Sequence, residues 1–120
     1  MAAMVVVVRL APLPLRHRRE ARLAELQRVF GSDVHLIEVV SVAELIATLA
    51  ESDAIAVALD APAPGQLRDA VAATGSLPVL RPLWRPRRNN RGEMDEVFDG
   101  YGLLTDTGTA RIADGELSTG

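Results

Sequence analysis

The chain contains no cysteine and no lysine. Without thiols there are no disulfides, no thiolate nucleophile and no cysteine–zinc site. That usage fits a reducing compartment. Without lysine there is no phosphate-gripping P-loop. Aromatic residues are scarce, namely Phe30, Trp84, Phe98 and Tyr101, so the core has to be built from Val, Leu, Ile and Ala. No apolar run approaches the ~18 residues of a membrane span. Val5 to Val8 are too few for a signal-peptide core, and no basic segment precedes them, so no leader and a cytoplasmic location are expected.

At 120 residues and 48% hydrophobic, the chain is long and apolar enough for one domain with a core that needs no staples. The whole of 1–120 is therefore read as a single α/β domain. All 13 basic residues are arginine, the expected imprint of a GC-rich genome, and the net charge is −3. Bulk electrostatics gives little support for nucleic-acid binding. The charges are arranged in blocks. Residues 9–28 carry net +4, residues 33–60 carry six acids, residues 81–91 carry five arginines, and residues 93–120 carry net −6.

Met4 to Leu10 is a β-branched run without alternation, which predicts a strand buried on both faces. Ala11-Pro-Leu-Pro14 ends it. Arg16 to Phe30 reads as a helix, with an apolar stripe of Leu15, Leu23, Leu26 and Phe30 beside Ala21, closed by Gly31. Val34 to Val40 is a second strand. Ser41 and Glu44 have capping-box spacing ahead of a helix over 42–51. Ala54 to Leu59 is a third strand, Asp60 to Gly65 a proline-bearing loop, Gln66 to Ala73 a third helix, and Leu77 to Leu83 a fourth strand. Residues 1–83 thus read as a βαβαβαβ core. Right-handed crossovers then give a three-layer, open, mostly parallel sheet in the order 2-1-3-4. Residues 84–92 read as an arginine-rich loop. Asp99-Gly100, Asp106-Thr-Gly108 and Asp114-Gly115 separate short apolar stretches. They mark 93–118 as an antiparallel β-ribbon, a C-terminal hairpin extension of the sheet.

Catalytic motifs are missing. The turn after the first strand has two prolines where a dinucleotide fingerprint has glycines. Asp60 stands where a response-regulator receiver carries its phosphoacceptor, but the acidic pair at the end of the first strand and the lysine are absent, which excludes that reading. No G-x-S-x-G occurs. His35, inside the second strand, reads as a satisfied structural imidazole. His17 has no second histidine at i+3 or i+4, so no metal site is expected.

In an open α/β sheet, ligands sit beyond the carboxyl ends of the strands at the point where the strand order reverses. Two arginine blocks are expected to converge there. Arg16, His17 and Arg19 open the first helix, and Arg81, Arg85, Arg87 and Arg88 follow the fourth strand, with Asp60 between them. Cations at a helix N-terminus oppose the macrodipole, so these arginines await either an anion or the chain's own carboxylates. The expectation is a non-catalytic, homodimeric, Rossmann-like binding or regulatory module without a cofactor. It would hold a nucleotide or other phosphate-bearing anion, in analogy at fold level with nucleotide-sensing domains of this architecture. The alternatives are a structural partner protein whose arginine block and acidic tail pair with each other, or a phosphoester-processing enzyme using Asp60 or His17.

Overall fold

The computed structural model describes residues 3–9, 18–61 and 65–117. In chain order the elements are β1 (Ala3–Arg9), α1 (Arg18–Phe30), β2 (Val34–Val39), α2 (Val42–Glu51), β3 (Ala54–Ala61), α3 (Gln66–Thr74), β4 (Val79–Arg88), β5 (Met94–Thr105) and β6 (Gly108–Arg111). The protein is an α/β fold with one mixed six-stranded sheet in the order β2-β1-β3-β4-β5-β6. β1 to β4 pair in parallel, and β4-β5 and β5-β6 pair antiparallel.

The unbroken valine run of β1 is explained by burial on both sides, since Val5, Val6, Val7 and Val8 are all fully enclosed. Val5 and Val7 pack with Leu26, Val29 and Phe30 of α1. Val6 and Val8 pack with Leu45 of α2 and Ala70 of α3. α1 therefore covers one face of the sheet, and α2 and α3 the other. Ser41 caps α2 as its spacing predicts: Ser41 Oγ accepts from Glu44 N, and Glu44 Oε2 from Val40 N. Among the described residues no helix is long and apolar enough to cross a membrane.

Several expectations need correction. The helical stripe of α1 is not the leucine series alone. Ala21 is exposed and Leu23 half-buried, while Arg22 is completely buried. His35 lies in β2 with its side chain exposed, so it is not a core imidazole. The arginine-rich loop is largely a strand. β4 continues to Arg88, and only residues 89–93 turn, with Asn89 Oδ1 accepting the amides of Arg91 and Glu93. Asp99-Gly100 is not a turn. Pro82 pairs with Tyr101 and Trp84 with Phe98, so two residues of β5 oppose Leu83 alone. This is a β-bulge, with Gly100 at φ +109°. The bulge diverts the Tyr101 amide, which donates to Glu25 Oε2 of α1 at 2.7 Å. The last stretch is not a strand either. After β6 the chain returns to α1, where Ile112 is buried and Arg28 Nη1 donates to Ile112 O and to Asp114 Oδ1.

Candidate functional site at the fork of the sheet

The sheet forks at its carboxyl edge. β3 and β4 pair only at Val57↔Val79 and Ala58↔Leu80. β3 then stays with β1 as far as Ala61, while β4 leaves with β5. Arg81 bridges the start of the gap, its Nη1 donating to Leu59 O. Burial lowers the pKa of the Arg81 guanidinium, and the Asp60 carboxylate partly opposes that shift. Asp60 lies at the end of β3, next to the point between β1 and β3 where the strand order reverses.

The alternation of β3 places Asp60 on the α1 face, with Ala56 and Ala58. There it meets Arg22, a group that the sequence reading did not select. Arg22 Nε donates to Asp60 Oδ1 at 3.0 Å and to Oδ2 at 3.2 Å. Tyr101 Oη donates to Asp60 Oδ1 at 3.0 Å. The Arg22 Cζ atom lies 3.6 Å from the centroid of the Phe98 ring and 5.6 Å from that of Trp84. Phe98 contacts Trp84 and Tyr101 edge to face, at centroid distances of 6.2 and 5.1 Å. Two aromatic rings thus border the guanidinium, and a third, Tyr101, holds its counter-ion Asp60. The bulge makes this possible, because it sets both Phe98 and Tyr101 on the α1 face.

Arg22 Nη1 and Nη2 are buried, and neither has a hydrogen-bond partner among the described residues. Leaving a buried donor unpaired costs roughly 1–3 kcal/mol, and more for a charged group. Cation–π contact with Phe98 and Trp84 recovers about 0.5–2 kcal/mol of this but satisfies no N–H. The guanidinium is held at its Nε end, and its fork, the end that grips a carboxylate or phosphate with two parallel bonds, is buried without a partner among the described residues.

The other sequence-selected residues are dispersed. Arg16 and His17 lie outside the described residues, and of Arg19 only its place in the first turn of α1 is described. Arg85, Arg87 and Arg88 ride on the outer part of β4, roughly 13–23 Å along the strand from Arg81 at ~3.3 Å per residue. There they meet the chain's own groups. Arg85 Nε lies 3.7 Å from Asp99 Oδ1, Arg87 pairs in register with Asp95, and Arg88 Nη1 donates to Gly92 O. Only Asp60 and Arg81 meet at the fork. The signal that pointed to Arg22 was its spacing. It precedes Leu26 by four residues, Val29 by seven and Phe30 by eight, so it stands on the buried stripe of α1 where an apolar residue is expected.

Next to this cluster, an open groove of about 440 Å³ runs between α1 and β5, lined by Glu25, Arg28, Phe98 and Gly100 among others. Its charged residues are committed. Glu25 accepts from Arg28 and from Tyr101 N, and Arg28 also holds Asp114. The Glu25 and Asp114 carboxylates raise the Arg28 pKa, Glu25 most. Among the described residues no group of three or more histidine or acidic side chains converges to hold a metal ion. Compared with family models, curated proteins and solved structures, the chain matches none of them.

Proposed function

We propose that this protein is a non-catalytic, Rossmann-like binding module that takes a phosphate-bearing anion at the forked carboxyl edge of its sheet, with Arg22 as the principal ligand-binding residue. The observation that carries this reading is the buried Arg22 fork, whose two Nη atoms have no partner among the described residues and which is positioned by Asp60 and Tyr101 beside the strand-order reversal. Arg81 adds a second positive charge on the far side of the same gap. The arginines of the outer β4 strand drop out of the site, because they lie far along the strand, where Arg85 meets Asp99, Arg87 stands opposite Asp95 and Arg88 bonds the Gly92 carbonyl. Asp60 is occupied by Arg22 and Tyr101, which favours binding over its use as an acid–base group. A cysteine-free chain suits the reducing cytoplasm, where we place it.

The test is calorimetric titration of the full chain with inorganic phosphate and with adenosine 5′-monophosphate. Arg22→Met is expected to weaken binding roughly 10- to 100-fold, the loss of a charged hydrogen-bonding group at ~1.5–3 kcal/mol. Because that variant strands Asp60, Arg22→Met/Asp60→Leu, which removes both charges, is measured beside it. Unchanged affinity in a folded variant would overturn the proposal.

A second reading, dimerisation through the β4-β5 ribbon, is favoured by one observation. Trp84 and Met94 lie on one face of that ribbon and are 40% and 63% exposed. Sedimentation at low and high salt tests it. A monomer at both salt concentrations rejects the homodimer.

A further inference from the structure

Given the phosphate site at Arg22, on which this inference rests, the geometry points to a more definite ligand class: we infer that the anion is a nucleotide whose base stacks on Trp84. The indole lies 5.6 Å from the Arg22 Cζ atom, close enough for one small molecule to reach both groups. Arg22 is fully buried, whereas Trp84 keeps 40% of its surface exposed. One partner is therefore desolvated for charge, and the other is open for stacking. Phe98 contacts Trp84 edge to face and is itself tied through Tyr101 to Asp60, so the indole is braced at one edge by the residues that position the guanidinium.

The local sequence also holds Trp84 in place for this role. Pro82 and Pro86 flank it two residues away on each side. Pro78 O accepts from Val57 N across the β3-β4 boundary, so the backbone groups of residues 80, 82, 84 and 86 point toward the same side. Beyond Leu80 that side faces the gap of the fork, where the two prolines offer no N–H to an incoming strand. The β4 edge at Trp84 thus borders a gap that another strand is ill suited to fill. A planar, sequence-tolerant stacking surface beside a guanidinium fork matches a base joined to a phosphate. A bare phosphate or a sugar phosphate would make no use of the exposed part of the indole.

Trp84 is the only tryptophan, so its fluorescence reports the subsite directly. The full chain is titrated with adenosine 5′-monophosphate, ribose 5-phosphate and adenosine. The nucleotide is expected to quench Trp84 and to bind at least about fivefold more tightly than ribose 5-phosphate, the low end of a stacked base's contribution. By calorimetry, Trp84→Ala is expected to bring the nucleotide down to the affinity of ribose 5-phosphate. Trp84→Phe is expected to keep most of the difference and guards against misfolding of the alanine variant. Equal binding of nucleotide and ribose 5-phosphate, both weakened by Arg22→Met, overturns the base subsite and leaves the phosphate site standing. If neither phosphate compound binds, both readings fall.

Discussion

Arg22 and Asp60 show how a single residue on a helix stripe changes what a core is for. Their pairing takes both charges out of water, which a fold tolerates only while both are present. Asp60→Ala is expected to cost about 3–5 kcal/mol, because it leaves a buried guanidinium without its counter-charge. Arg22→Met/Asp60→Leu is expected to be nearly neutral or to stabilise the chain, since apolar groups of similar volume need no partners. Urea denaturation checks both. If the double variant is as unstable as the single one, the pair is a structural strut rather than a retained binding group. Gly100 is a second residue whose role is local. A Cβ there would overlap Glu25 Oε2, and its φ of +109° is costly for any other residue. Gly100→Ala is therefore expected to lose roughly 1–3 kcal/mol and to release the Tyr101 amide to hydrogen exchange. Gly108→Ala is the control, at φ +133° but with open space around it, and is expected to lose less.

At the scale of elements, what was legible in the sequence was whatever burial dictates. The valine run of β1, the apolar β3 and the Ser41 cap of α2 were readable because each has one physical solution. The outer β4 strand was not, because its residues from Trp84 to Arg88 are exposed. A strand exposed on both faces needs no hydrophobic period, so Trp-Arg-Pro-Arg-Arg reads as a loop. Asp99-Gly100 misled for a related reason, since a bulge and a hairpin turn draw on the same positive-φ glycine. Arg22 was hidden among six arginines of one charge block, and only its phase relative to Leu26 and Phe30 set it apart. The prolines of β4 serve a further purpose. Facing the gap without donors, they keep the fork from recruiting another strand. Pro82→Val/Pro86→Val is expected to restore two amides to that edge and to make the protein associate in a concentration-dependent way. Light scattering across a dilution series reads this, and a variant that stays monomeric removes the protective role from these prolines.

For the whole molecule, the proposed site would join binding to stability. The proposed ligand would fill donors that have no partner among the described residues, and the unfolded chain holds no such arrangement, so binding adds directly to the free energy of unfolding. At a ligand concentration a hundredfold above Kd the gain is about 2.7 kcal/mol. For a domain of this length, that gain corresponds to a rise in Tm on the order of 10 °C. Adenosine 5′-monophosphate at submillimolar concentration is the informative ligand, because phosphate at high concentration stabilises many proteins by exclusion from their surfaces. The wild-type chain is expected to show the rise, and Arg22→Met/Asp60→Leu to show none while melting near the unliganded wild type. An equal rise in the double variant would move the anion away from the fork and onto another part of the surface. A rise that disappears together with the buried pair ties it to the place where β3 and β4 separate, beside which the buried Arg22 fork has no partner among the described residues.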